Sequence, residues 1–145
     1  MEGAETLSIN DCLGLLAGRM SGRVAYTERA LPAIWPVHHL LVGGHLVLDT
    51  HHVGVAARLD GQVVAFEIDG SDAAGEGAWI VVVTGIARIL PAADGQVGRG
   101  EVTAVQITPG DVRGCRFLRT GVPAAAGSAR RQRDPPLQSG SVTGG

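Results

Sequence analysis

Ala33-Ile34-Trp35-Pro36-Val37-His38-His39-Leu40-Leu41-Val42, then Gly43-Gly44, then His45-Leu46-Val47-Leu48: this stretch decides the fold. It is two β-rich runs separated by a glycine pair, the spacing of antiparallel strands joined by a short turn. Residues 23–27 form a third run on the N-terminal side, set off by Glu28-Arg29-Ala30-Leu31-Pro32, so the three together predict a meander. On the C-terminal side, residues 51–59 place Val53, Ala56, Ala57 and Leu59 at helical spacing, and Asp60-Gly61 closes a short helix. Two longer strands are expected at 62–69 and 78–90, separated by the turn-rich Gly70-Ser71-Asp72-Ala73-Ala74-Gly75-Glu76-Gly77. In the second of them Val81-Val82-Val83 is a continuous apolar run, which suits a strand covered on both sides.

After a connection near 91–100, residues 101–108 give one more strand. Ser8, followed three residues later by Asp11, reads as a helix start, and Ile9, Cys12, Leu13, Leu15, Leu16 and Met20 continue it at helical spacing, predicting a helix over 9–19. The expected fold is therefore mainly β with a few short helices: roughly six antiparallel strands in a closed or nearly closed barrel, an arrangement that also removes exposed edges.

The chain has 145 residues, enough for one ordinary domain with its own core. That domain is expected at 1–119. Residues 120–145 are Pro, Gly, Ser, Ala and Arg with hardly any large apolar side chain, and cannot offset the entropy of ordering themselves; they are expected to be a disordered tail. The net charge of −2 shows no basic stripe, which argues against nucleic acid. All twelve cationic side chains are arginine. A lysine Schiff base and a P-loop lysine are thereby excluded. The segment 1–9 lacks the charged and apolar regions of a signal peptide and no apolar run reaches membrane-span length, so the expectation is a cytoplasmic protein with no membrane partner. Cys12 and Cys115 have neither metal spacing nor a redox-pair motif and read as small packing residues.

Several segments, in order, carry a resemblance. Asp11-Cys12-Leu13-Gly14-Leu15-Leu16, Gly22-Arg23-Val24-Ala25 and Pro32-Ala33-Ile34-Trp35-Pro36-Val37-His38-His39 resemble the opening of the pyridoxamine 5'-phosphate oxidase-like family. Val64-Ala65-Phe66-Glu67-Ile68-Asp69 with Asp72, Trp79-Ile80-Val81-Val82-Val83-Thr84-Gly85-Ile86-Ala87, and Ile107-Thr108-Pro109 with Arg113-Gly114-Cys115-Arg116 resemble the rest of the domain in its short actinobacterial members. The resemblance implies an FMN-binding split β-barrel that forms a homodimer, with the flavin in a groove to which both subunits contribute.

The resemblance also locates the groove. Its residues here are Pro36, Val37, His38, Asp49, Thr50, His51, Gly54, Val55, Arg58 and Trp79. In the family, an arginine before the threonine and a lysine further on grip the flavin phosphate. This chain has Asp49 at the arginine position and no lysine. A carboxylate repels a phosphate, and the missing arginine removes a charge-assisted contact of about 1.5–3 kcal/mol. The Thr50 hydroxyl, the backbone N–H groups of Val53, Gly54 and Val55, and Arg58 are left as a modest anion site.

A flavin carries its own redox chemistry, so no catalytic triad is required, and no catalytic residue is assigned. All five histidines fall between positions 38 and 52. Strand alternation points His38 and His39 to opposite faces. His38 and His51 fall near the groove, whereas His45 and His52 read as solvated. Phosphate or flavin contact, haem ligation and a divalent metal are the functional readings, but no Cys or Glu shares a metal spacing with them, so no metal site is assigned. Trp35, Phe66 and Phe117 read as packing or interface aromatics, and Glu67 and Asp69 as a solvated strand face. Three functions compete on this reading: an FMN- or deazaflavin (F420)-dependent oxidoreductase acting on a small molecule, a barrel repurposed for another ligand, and a haem-binding protein.

Overall fold

The computed structural model describes residues 4–91 and 103–118. Its elements are β1 (Ala4–Thr6), α1 (Ile9–Ala17), β2 (Ser21–Glu28), β3 (Leu31–Val42), β4 (His45–Asp49), α2 (Val53–Leu59), β5 (Val63–Ser71), β6 (Gly77–Ile89) and β7 (Ala104–Leu118). Strand order is β1-β7-β4-β3-β2-β5-β6, all neighbours antiparallel, and β6 returns to pair with β7. Strands β2 to β7 thus close on themselves, and β1 is added along the far half of β7.

Seven strands replace the roughly six expected. The extra strand, β1, has only three residues, all exposed, and so carries no periodicity to read. The strand expected at 101–108 is the first half of a longer one. β7 continues through Pro109-Gly110 to Leu118 because its register with β6 slips there: Gly85 faces Pro109 while Thr84 faces Asp111, leaving Gly110 as the extra residue. A bulge can accommodate a proline, which has no N–H to give to a ladder. Residues 101–102, the connection at 92–100 and the tail expected at 120–145 lie outside the described residues.

Both hairpins around β3 are two-residue turns with left-handed backbone at both positions, Arg29 (φ 50°) and Ala30 (φ 64°) before it, Gly43 (φ 57°) and Gly44 (φ 79°) after it. Such turns match the twist of the paired strands. α1 begins at the Ser8 cap, whose hydroxyl accepts from the Asp11 amide at 3.1 Å, and ends two residues before the expected limit at the Gly18 cap. α2 starts at Val53, two residues later than expected, because His51 is left-handed (φ 52°) and His52 is the extended N-cap.

The interior is apolar. Val24 from β2, Leu46 and Leu48 from β4, Phe66 from β5, Val81 and Val83 from β6, and Val105 and Ile107 from β7 are fully buried. α1 lays Cys12 and Leu16 against β7, β3 and β6, and α2 adds Val55, Ala56 and Leu59. Val82 is only half-buried, so the Val81-Val82-Val83 run is fully covered on the barrel side alone. Among the described residues no helix is long and apolar enough to cross a membrane.

Candidate functional site

Strand alternation along β3 places Val37 and His39 inside, with Pro36, His38 and Leu40 outside. His38 pairs across the ladder with Asp49, the last residue of β4, and the chain then turns through Thr50 and His51 toward α2. Register and turn together bring His38, Asp49 and His51 to one outward corner.

Asp49 Oδ1 accepts from the His51 amide at 2.9 Å and from the Thr103 hydroxyl at 2.8 Å, and Oδ2 stands 3.4 Å from His51 Nδ1. His51 Nε2 lies 2.7 Å from His38 Nδ1, the two rings nearly perpendicular at 87°. Partial burial pushes the Asp49 carboxyl up, but the His51 amide, the Thr103 hydroxyl and the two imidazoles together outweigh it and hold the group below its ordinary value. Asp49 is therefore ionised at neutral pH and can only accept.

Thr50 is buried and its hydroxyl is engaged within the chain. It lies 2.9 Å from the carbonyl oxygens of both His52 and Thr103 and accepts from the His52 amide at 3.2 Å. Trp35 Nε1 donates to the Thr50 carbonyl at 2.9 Å. His52 Nδ1 caps α2 by accepting from the Val55 amide at 3.1 Å, and its ring packs so closely on Gly54 that a Cβ there would meet it at 3.0 Å. Arg58 Nε is 3.1 Å from Glu28 Oε1. Thus Thr50, Val55 and Arg58, expected to form an anion site, all have partners inside the chain, and His52 is a capping residue.

Two recesses flank this corner. One, of about 290 Å³, is lined by Ser21, Trp35, Pro36, Val37, His38, Thr50 and His51. The other, about 280 Å³, lies between Met20, His38, His39, Leu40, Val47 and Asp49. A third, about 310 Å³, shares Ser21 and Pro36 with the first and is bordered by Arg19, Arg23 and Asp69. Arg23 is tied to Glu67 at 2.6 Å and Asp69 at 2.8 Å. Arg19 lies 5.0 Å over the ring of Trp79 and has no carboxylate partner among the described residues. Trp79 is buried on β6 beneath that arginine and lines none of these three recesses.

Of the residues assigned to the groove, the structure brings together Pro36, Val37, His38, Asp49, Thr50 and His51. Gly54, Val55 and Arg58 follow on α2, and Trp79 stands apart. The reading missed Thr103, Ser21 and Arg19. Thr103 is 54 residues from Asp49, beyond any local signal, whereas Arg19 was visible as a cation at the last position of the expected amphipathic helix.

The chain belongs to the pyridoxamine 5'-phosphate oxidase family, whose pattern it matches over residues 8–126. It is 44% identical over 87 residues to the uncharacterised protein Rv0080 of Mycobacterium tuberculosis, covering 56% of this chain and 57% of that relative, little more than half of its length. Its fold matches a FAD-binding protein from Mycobacterium smegmatis with a TM-score of 0.65 at 24% identity, over 79% of this chain and 98% of the other. A FAD- and haem-binding protein from the same organism gives 0.58 at 20% identity, over 84% and 76%. The fold is thus the antiparallel split β-barrel that the sequence pointed to.

Proposed function

We propose that this chain is a flavin-binding oxidoreductase that works on a small molecule as a homodimer. FMN or FAD is the preferred cofactor and the deazaflavin F420 the alternative. Family membership and the FAD-binding relatives of like fold support the flavin. The observation that carries the reading is the outward band from His51 and Trp35 across Ser21 and Pro36 to Arg19, a half-apolar groove with a cation at one end. When bound, a flavin supplies hydride transfer.

The donor set bears on how a cofactor would be held. An ionised Asp49, a committed Thr50 hydroxyl, a capped Val55 amide and a paired Arg58 do not fit a phosphate. Arg19 does, being exposed and free of a carboxylate among the described residues. In this reading Trp35, Pro36 and His38 hold the ring and Arg19 holds the anionic tail. The homodimer is supported by the outer face of β3, where Ile34, Leu40 and Val42 are 67%, 62% and 55% exposed and Leu40 also lines one of the recesses. A second copy on this face would bury them and wall the groove.

A second reading, a barrel repurposed for another ligand, is favoured by the same inward commitment of the expected phosphate donors. Absorbance titration of the purified protein with FMN, FAD, F420 and haem separates them. Uptake of one flavin or deazaflavin per chain is expected, and Arg19→Glu should weaken it about tenfold or more, the loss of one charge-assisted contact. No uptake of any of the three overturns the proposal. A Soret band without flavin uptake makes the protein a haem binder. Flavin affinity gained only in Asp49→Arg supports the repurposed barrel.

A further inference from the structure

His38, His51 and Asp49 form a chain whose proton positions follow from acceptor chemistry. Asp49 is acceptor-only, and its Oδ2 stands 3.4 Å from His51 Nδ1, longer than a good hydrogen bond but near enough to favour the tautomer with the proton on that nitrogen. His51 Nε2 is then a lone pair, and the 2.7 Å contact requires His38 Nδ1 to donate to it. His38 is exposed and lines both recesses of the corner. Its second nitrogen, Nε2, is left as an acceptor on that outward side.

The arrangement is built rather than incidental. His51 holds a left-handed backbone, φ 52°, that non-glycine residues seldom adopt, and Asp49 fixes it through the 2.9 Å bond from the His51 amide. Thr103, from the far end of the sequence, holds Asp49 in turn. A shared metal does not explain the pair, since two nitrogens on one tetrahedral zinc stand roughly 3.3 Å apart given Zn–N near 2.0–2.1 Å. The 2.7 Å separation is that of a hydrogen bond.

We propose that His38 is an acid–base site, its Nε2 taking a proton from an O–H or N–H acid bound in one of the two recesses it lines, with His51 and Asp49 as the relay behind it. The acid's X–H bond breaks and a bond from Nε2 to hydrogen forms. The Nδ1 proton of His38 passes to His51 Nε2, and His51 becomes imidazolium beside the Asp49 carboxylate. The ligand leaves the step as an anion, and the reverse sequence protonates it. Asp49 is the only formal charge in the chain before the step. From β2 the His38 position is faced by Ser21, and the adjacent His39 is turned inward. The proposal requires no flavin.

Two measurements on the full-length protein as purified test it. In nitrogen-15 NMR of the imidazoles, His38 should carry its proton on Nδ1 and show scalar coupling to His51 Nε2 across the hydrogen bond, and His51→Gln should abolish that coupling. Absence of that coupling in the unsubstituted protein overturns the proposal without any variant having to fold. Carbethoxylation by diethylpyrocarbonate, followed residue by residue by mass spectrometry, reads the reactivity of His38 Nε2. His51→Gln and Asp49→Asn should each slow modification of His38 by about tenfold, the loss of a hydrogen bond to a ring acquiring charge. Unchanged reactivity in both variants shows that the two rings only touch, and overturns the relay.

Discussion

The barrel interior and the β3–β4–α2 corner solve opposite problems within a few ångströms of each other. Inside, alternate residues of β5 and the middle of β6 (Val64, Phe66 and Ile68; Trp79, Val81 and Val83) are apolar and buried, and each side chain does what its local pattern asks. At the corner the pattern is broken: a left-handed histidine, an ionised carboxylate on hydrogen bonds, a buried threonine used as a backbone clasp. The adjacent pair His38 and His39 shows the divide best. His39 faces inward, Nε2 donating to the Leu16 carbonyl at 2.9 Å and the ring against Phe66, so it joins α1 to the barrel. His38 faces outward and joins the site. The stabilising contact of His39 and the acid–base role proposed for His38 thus fall on opposite faces of one strand.

The comparison breaks most sharply at Phe66, which is fully buried and lies against His39 and the space beside Gly22. Phe66→Ala should cost about 3–5 kcal/mol by denaturant titration, through lost burial and the cavity left behind. The His38–His51 contact should persist wherever the variant is still folded. A loss below 1 kcal/mol would mean that the interior is not the stabilising region.

Thr50 sits on the border and tests whether the corner also bears on stability. Thr50→Val keeps the shape but leaves the His52 amide without its acceptor, while the Thr103 and His52 carbonyls keep the Thr50 and Ala56 amides as donors, with an expected loss of about 1–3 kcal/mol. The same substitution should loosen the turn that presents His51. It is therefore expected to alter the His51 imidazole resonances as well as the melting temperature.

Legibility divides along the same line. The meander, both helices and the long strands followed from periodicity because interior packing rewards it at every second or third residue. Helix limits were missed by two residues at the caps, where the His52 side chain starts α2 and the Gly18 backbone N–H, donating to the Gly14 carbonyl, ends α1. β7 was cut short because Pro109-Gly110 reads as a turn unless the bulge opposite Gly85 is known. The candidate site was legible as a region, through the resemblance and the histidine cluster. Its wiring was not, since Asp49–Thr103 and Arg58–Glu28 are pairings made by folding. Even so, the alternation rule alone separated His38 from His39.

His39 supplies the pH test. Burial holds its imidazole below the ordinary value, so the folded state takes up fewer protons than the unfolded chain. Its contribution to stability is complete above the unfolded pKa of about 6.5 and is lost as the pH falls below that toward the folded value. Stability measured between pH 7.5 and 5 should fall, and His39→Leu should flatten that limb while costing about 1 kcal/mol at pH 7.5 for the lost bond to Leu16. An unchanged limb would place the acid sensitivity on another group.

The smallest effect is expected on the outer face, at Arg23. It bonds Glu67 at 2.6 Å and Asp69 at 2.8 Å, the closest ion pairs beside the third recess, yet its side chain is 48% exposed. Despite the guanidinium, Glu67 is pushed up, first by burial and then by its contact with Asp69. Water screens the attraction, and ordering a long side chain offsets most of the remainder, so Arg23→Gln should change stability by less than about 1 kcal/mol. Its larger effect should fall on flavin uptake: with two acids released beside Arg19, the groove becomes less welcoming to an anionic tail, and affinity should drop while the melting temperature barely moves. A variant that loses stability but keeps its affinity would reverse the division between inner and outer faces.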